Sequence, residues 1–472
     1  MDLLNNLALG FGAAFTAQNL LCAFFGSVLG TLIGVLPGLG PVATIAMLLP
    51  SIYSLDATPA LIMLATVYCG ARHGHARATV AAAGLGSFFA GSVGALVLAI
   101  CSPPLVALAF QFGPAEYFSL TVLVLIGTVV LGSGSLIKAI AMMVLGLLLG
   151  QLNSDLAAAV PRFSFHLPEL SRGVGFVSMV VGMFGLGRIV IQLGMPAQAR
   201  DRLTQDLRGA WPTLEDIQAI TPAVIRGTAL GSVLGVLPGG GVLLASFAAD
   251  SVEKRAPPGE VTWGIDHGRA VAGHESANAA ALQTSFVPLL TLGLPTNVVM
   301  ALILGAMTIK GIEPGPQLMA ANPQLFWGLI ASMSLGQLIL LALNLPPIGL
   351  WRRLLAVPYR WLFPGVTVVC CIGLYTLDQS GVGIYLGAFF ALVGYVFHKL
   401  GCEPAPLLLG YLLGPMLEQH LQHALQLSSG DWGTFVAHPL SAGLLVAAAL
   451  LAVLAILPSI RARRELAFQE QG

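Results

Sequence analysis

Two stretches of this chain repeat one device. In 26–50, GSVLGTLIGVLPGLGPVATIAMLLP, glycines at 26, 30 and 34 fall on one helical face, and Leu36-Pro37-Gly38-Leu39-Gly40-Pro41 follows. Further on, Gly227, Gly231 and Gly235 precede Val236-Leu237-Pro238-Gly239-Gly240-Gly241. Glycines four apart let a neighbouring backbone approach closely. Pro37 and Pro238 lack a backbone donor and the adjoining glycines tolerate positive φ, so regular helix stops at both places. Both copies lie in strongly apolar sequence. Lipid cannot satisfy a broken backbone, so such breaks belong inside protein or beside a watery cavity. Paired breaks in the two halves of a membrane protein point to a transporter's substrate site.

Composition agrees with a membrane setting. Of 472 residues 56% are hydrophobic and only 9% charged, with a mean hydropathy of +0.87. Charges this scarce cannot solvate a soluble surface of this size, which predicts an all-α polytopic membrane protein embedded in a lipid bilayer. A net charge of zero without a long basic run argues against a nucleic-acid partner. The six cysteines lie mostly in apolar segments without a CxxC pair, and read as small buried hydrophobes. The opening MDLLNNLALGFG has no basic n-region or cleavage site, so the first membrane helix is expected to direct insertion.

On a ruler of about 20 apolar residues per span, the first half offers segments near 16–35, 41–54, 56–71, 80–110, 117–135, 136–151 and 174–194. The 80–110 run, interrupted at Ser102-Pro103-Pro104, reads as one long helix or as a hairpin. The second half offers 221–249, 284–310, 324–347, 361–378, 381–399, 404–418 and 434–458. The total is about 11–13 transmembrane or re-entrant helices in two repeated halves, with Pro/Gly-broken helices at the substrate site. The organisation read is a first repeat over 1–196, shortened around 70–80, and a charged linker over 197–218. The core of a second repeat follows over 219–350, then C-terminal helices with a short basic tail over 351–472. Arg200, Arg202 and Arg208 in the linker, and Arg461, Arg463 and Arg464 after the last span, place both in the cytoplasm by the positive-inside tendency.

The most informative polar segment re-enters the membrane with Glu275, Ser276, Asn278, Gln283, Thr284 and Ser285, then meets a third break at Leu294-Pro295-Thr296-Asn297. Amides and hydroxyls beside free helix N-terminal N–H groups suit an anionic substrate. Carbonyls freed at the breaks, with hydroxyl oxygens, suit a coupling Na⁺ near Gly38, Gly239 and Thr291. The substrate-binding candidates are therefore Pro37, Gly38, Gly40, Pro238, Gly239, Gly240, Ser276, Asn278, Thr284, Pro295, Thr296 and Asn297. The bland alternative is that these residues only cap helix ends. In the first half, Arg72, His73, His75 and Arg77 crowd into six residues and read as a helix-end loop, or with Arg72 and Arg77 as anion contacts. No metal ligand set and no cofactor are read beyond the coupling ion. His274-Glu275 lacks the second histidine of HExxH, no GxSxG elbow occurs, and no lysine follows the glycines as in a P-loop. The chain is not expected to be an enzyme. An intramembrane enzyme using His267, His274 and Glu275 is the weakest competitor.

The doubled GVLPGxG, the run His274-Glu275-Ser276-Ala277-Asn278, and QTSFVPLLTLGLP over 283–295 resemble the large membrane subunit of tripartite tricarboxylate transporters. Pro161-Arg162-Phe163, GPAEYF over 113–118, GPQL over 315–318 and EPAPLLLG over 403–410 support the resemblance across nearly the whole chain. It implies a bacterial inner-membrane symporter that takes up tricarboxylates or related carboxylates, driven by Na⁺ or H⁺. It also implies a small four-helix membrane subunit and a periplasmic solute-binding protein as partners. The chain departs from the family where a Tyr/Gly-rich run leads to an Asn-x-Pro-Gly-Glu break. Here Val67-Tyr68-Cys69-Gly70-Ala71-Arg72 passes by way of His73 to Arg77 straight into apolar sequence, without that hairpin tip. The family's Asn-Asn pair after Glu-Ser-Ala is Asn278-Ala279 in this chain. A diverged, transport-impaired paralogue and a structural membrane subunit are the alternatives.

Overall fold

The computed structural model describes residues 3–35, 40–73, 80–132, 135–152, 173–194, 214–238, 240–255, 263–344 and 359–456, and every regular element among them is helical. The first half runs α1 (Leu3–Ala14), α2 (Ala17–Val35), α3 (Pro41–Leu48), a 3-10 turn (Ser51–Ser54), α4 (Ala57–His73), α5 (Val80–Ala109), α6 (Pro114–Leu131), α7 (Leu136–Gly150) and α8 (Phe176–Leu193). Next come α9 (Leu214–Leu234), α10 (Gly241–Arg255), α11 (Trp263–Thr284), α12 (Phe286–Leu292), α13 (Val298–Ile309), α14 (Leu318–Ala321) and α15 (Pro323–Asn344). The chain then continues with α16 (Tyr359–Asp378), α17 (Val382–Lys399), α18 (Ala405–Leu427), α19 (Thr434–Ala437) and α20 (Pro439–Ile456). Among the described residues seven helices, α2, α5, α6, α8, α9, α15 and α17, are long and apolar enough to cross a membrane. The protein is an all-helical, multi-pass membrane protein.

Local chemistry sets the helix ends. Pro114 opens α6, and Glu116 Oε2 accepts the Gly113 N–H at 2.9 Å to close its first turn. Helix α12 stops at Gly293, whose φ of +73° is left-handed, and Asn297 Oδ1 then caps α13 by accepting Met300 N–H at 3.0 Å. Across Pro103 and Pro104 α5 is one continuous helix, so the hairpin alternative for 80–110 falls away. Beside the prolines the Ser102 hydroxyl donates to Leu98 O at 2.6 Å, the kind of side-chain bond that lets a membrane helix carry proline.

Several span readings need correction. The run 221–249 is two helices, α9 and α10, because Pro238 and its glycines interrupt it. The run 284–310 is the end of α11 followed by α12 and α13, broken at Ser285 and over 293–297. Helix α11 escaped an apolar ruler because it begins polar, yet residues 276–284 are buried on all sides. Helix α1 precedes the first span read from sequence, and α18 runs on to Leu427 beyond the expected 418.

The glycine ladders now acquire partners. On α2, Gly26, Gly30 and Gly34 face the carbonyls of Met63, Val67 and Ala71 on α4; a Cβ at Gly30 would stand 2.5 Å from Val67 O, and one at Gly34 2.6 Å from Ala71 O. On α9, Gly227, Gly231 and Gly235 face the carbonyls of Gly273, Ala277 and Ala281 on α11 in the same register. Each pair runs parallel, so the segment between its members must travel back: α3 with the 3-10 turn in one repeat, α10 in the other. Helix α5 packs on α9 and α11, while α15 packs on α2 and α4, so each repeat's next long helix braces the other repeat. One difference stands out. Between α11 and α15 the second repeat inserts α12, the 294–297 break and α13, whereas the first repeat goes from α4 to α5 through residues 74–79 alone.

Candidate functional site

One cavity of about 410 Å³ lies where the broken helices converge. Its wall is made of first-turn residues from four helices: Val42 and Ala43 of α3, Val242 and Leu243 of α10, Val298 and Val299 of α13, Ala405 and Pro406 of α18. The residues just ahead of these turns, Gly40, Gly240, Asn297 and Pro404, line it too. In each helix the intrahelical ladder starts beyond the wall, with Thr44 N–H on Gly40 O, Leu244 N–H on Gly240 O, Ala301 N–H on Asn297 O and Leu408 N–H on Pro404 O. The first-turn N–H groups thus have no intrahelical acceptor. Gly40, Gly240 and Pro404 carry no side-chain oxygen that would cap them. The four dipoles bring their positive ends to one space, which favours an anion.

Side chains add to that field. Arg188 reaches the cavity from α8, where Val181–Leu186 widen into a π-helical turn. That turn lies in a glycine-rich run against α17, with Gly182 facing the Gly387 carbonyl, and such bulges recur at functional sites. His398 of α17, Tyr68 of α4, Thr128 at the end of α6, and Glu403 complete the polar lining. Tyr68 is 1% exposed, and its hydroxyl accepts from Asn297 Nδ2 at 3.4 Å, tying α4 to the third break. The remaining wall, including Met183, Phe184, Ile191 and Leu409, is apolar.

The residues singled out from sequence divide in three. Gly40, Gly240 and Asn297 line the cavity. Pro37, Gly38, Gly239 and Arg77 lie outside the described residues, as do the side chains of Arg72 and His267. The others are described but stand apart from the lining. Pro238 packs on Gly127 of α6, and Thr296 Oγ1 donates to Ser285 O at 3.4 Å behind the Pro295 turn. Ser276 faces Gly86 of α5. Asn278 is buried in α11, and Thr284 Oγ1 donates across to Gly231 O at 3.2 Å. Thr291 gives its hydroxyl to Val287 O at 2.7 Å. His274 pairs with Asp250 at 3.0 Å between α11 and α10, away from the lining. Sequence reasoning passed over Arg188, His398, Thr128 and Glu403. The available signal was simple for Arg188 and Glu403, since an ionisable residue beside or within an apolar run is a functional candidate by default.

Comparison with known proteins follows the same outline. The family model described as the tripartite tricarboxylate transporter TctA family matches residues 20–74 and 71–409, two segments that share 71–74. An uncharacterized 52.8 kDa protein of Agrobacterium vitis, in the TAR-I ttuC' 3' region, is 46% identical over 501 residues, covering 100% of both chains. A second uncharacterized Agrobacterium vitis protein, in the TAR-II ttuC' 3' region, is 51% identical over 240 residues, 51% of this chain and 99% of that one. No solved structure matches.

Proposed function

This chain belongs to the tripartite tricarboxylate transporter TctA family, and from that premise we propose that it is the large transmembrane subunit of a binding-protein-dependent secondary transporter. It takes up a tricarboxylate or related carboxylate across the bacterial inner membrane by symport with Na⁺ or H⁺. A small four-helix membrane subunit and a periplasmic solute-binding protein complete the system. The observation that carries the reading is the convergence of four helix N-termini and Arg188 on one cavity. Carboxylate oxygens would take up the first-turn N–H groups, Arg188 would pair with a carboxylate in bidentate fashion, and Asn297 and Tyr68 would fix its orientation. Arg72 and Arg77 remain candidate anion contacts at the shortened end of the first repeat.

A specific observation favours a second reading, a diverged, transport-impaired paralogue. Only residues 74–79 stand between α4 and α5, too few for a counterpart to α12, the break and α13. The family match divides in that same region, and 501 positions are aligned to the relative against 472 residues here.

One experiment decides between them. Cells lacking their own carriers express the chain with its small subunit and binding protein, and take up labelled citrate and a panel of di- and aromatic carboxylates. Saturable, gradient-dependent uptake that falls about tenfold or more in Arg188→Gln, at equal membrane abundance, supports the transporter. Full insertion with no uptake of any compound leaves the impaired paralogue. Normal uptake in Arg188→Gln sinks the assignment of the cavity.

A further inference from the structure

Helix α10 brings one of the four N-termini to the cavity, and its axial position decides how far Gly240 and Val242 reach. It packs chiefly on α9 and α11. The face it buries is Val242, Ala245 and Ala249, against Ala277 and Ala281 of α11 and Leu230 and Leu234 of α9. Alanine methyls are small and alike, so the ridges on this face are shallow and oppose sliding along the axis only weakly. At the entry to the helix, Gly240 and Gly241 have no side chain with which to hold it. The far end differs. Glu253 accepts from Arg226 Nε and Nη2 of α9, both at 2.8 Å, and its side chain is 5% exposed. One turn earlier, the two Asp250 oxygens lie 3.0 Å and 3.1 Å from His274 Nδ1 of α11. Gly273 of α11 makes room for the Glu253 stem, since a Cβ there would stand 3.1 Å from Glu253 Cγ. Helix α3, which holds the same place in the first repeat, carries no charge. It is keyed into the main core by Ile45 and Met47 instead.

We propose that the Arg226–Glu253 and His274–Asp250 pairs are register pins for α10. They fix its axial position from the far end and so place its first-turn N–H groups at the cavity. Ion pairs suit the task because a bidentate arginine–carboxylate contact is lost on a shift of one residue, about 1.5 Å. An alanine face repacks after the same shift. Glu253 lies about 20 Å along the axis from Gly240, so the pins touch neither the lining nor a substrate. They are positioning residues. The register role stands without the carboxylate reading above, on which only its effect on affinity rests.

The test reads the register at the cavity end, in the purified full chain in nanodiscs. A Cβ at Gly240 would stand 3.4 Å from Leu131 Cβ of α6, close to the spacing of a disulfide. Gly240→Cys with Leu131→Cys is therefore expected to oxidise readily, and peptide mass spectrometry identifies the bond. Arg226→Met with Glu253→Met then replaces a partly buried ion pair by pliable apolar side chains, a change that leaves stability largely intact. With Asp250→Asn added, disulfide formation is expected to slow by about tenfold while the thermal midpoint of the reduced protein holds. Glu253→Gln with Asp250→Asn, nearly isosteric, serves if the methionine pair does not fold. An unchanged rate, a parent pair that fails to oxidise, or a rate that falls only together with the thermal midpoint would each overturn the pins. In uptake, the same variants raise the half-saturating carboxylate concentration at unchanged maximal rate. A slipped register with unaltered half-saturation leaves the pins standing and removes α10 from the carboxylate site.

Discussion

Alanine at Gly30 tests the repeat packing most directly. Its Cβ would stand 2.5 Å from Val67 O and 3.0 Å from both Ala71 N and Gly70 Cα, all backbone atoms that cannot turn aside. Restoring an ordinary contact of about 3.4 Å requires α2 and α4 to part by about 0.9 Å. Overpacking of this kind costs about 1–3 kcal/mol, while alanine in place of glycine favours helix by about 1 kcal/mol. The balance predicts a net loss of about 0–2 kcal/mol for Gly30→Ala, against a gain at an open site. Gly231→Ala, facing the Ala277 carbonyl in the second repeat, should behave alike. Gly443→Ala on α20 is the control, since nothing lies within 4 Å of its Cβ position, so only the gain of about 1 kcal/mol remains. The assay is thermal unfolding of purified protein in nanodiscs, all three variants beside the parent. One residue change, three sites, and an opposite sign at the third is the expected pattern. Gly30→Ala as stable as Gly443→Ala would refute the close approach of α2 to α4.

Further outcomes follow from single side chains. Asn297→Ala removes the cap on Met300 N–H and should lower stability by about 1 kcal/mol, and it should also raise the half-saturating carboxylate concentration in uptake. Thr284→Val keeps the shape but deletes the bonds to Gly231 O and Ala280 O; unfolding should show a loss of about 0.6–1 kcal/mol with unchanged half-saturation. Lys310→Met removes a donor to Tyr53 O at 2.6 Å and a cation 5.3 Å from the Tyr53 ring. It should make the Tyr53–Leu55 turn more accessible to limited proteolysis without altering substrate affinity.

What the sequence makes legible here is what local spacing encodes. The glycines at 26, 30, 34 and at 227, 231, 235 announce close helix contacts, and Pro37 and Pro238 announce breaks, before any partner is known. Apolar length locates α2, α6 and α8 without reference to the rest of the chain. It misses α11, because burial there is achieved with Ala277, Ala280 and Ala281 against glycines while the polar start of the helix lowers its mean hydropathy. Length also cannot say whether Pro103-Pro104 bends a helix or ends one, since that depends on neighbours. The site was half legible for the same reason. Gly40, Gly240 and Asn297 belong to breaks, and breaks are local. Arg188 and Glu403, at the π turn of α8 and the entry to α18, carry only the general signal of an ionisable residue in apolar sequence, and which helices bring them to one cavity is not encoded locally.

The asymmetry between the repeats has a consequence for the field in the cavity. Segments that follow a break supply three of the four N-termini: α3 from the first repeat, α10 and α13 from the second. Because only six residues, 74–79, separate α4 from α5, the first repeat has no room for a partner to match α13. The fourth N-terminus comes instead from α18, and the cation from Arg188 on α8. Both are held outside the paired glycine helices, against α7 and α17 respectively: Gly146 of α7 meets the Leu407 carbonyl, and Gly187 of α8 lies 3.2 Å, by its Cβ position, from Ala391 O. The positive end of this site therefore draws on elements outside the glycine-paired helices as well as on the two breaks. The donors of α3 are held from several sides, by the π turn of α8, by α4, by α13 and by α2. The contact at Gly30 sets the spacing of α2 and α4, two of those supports.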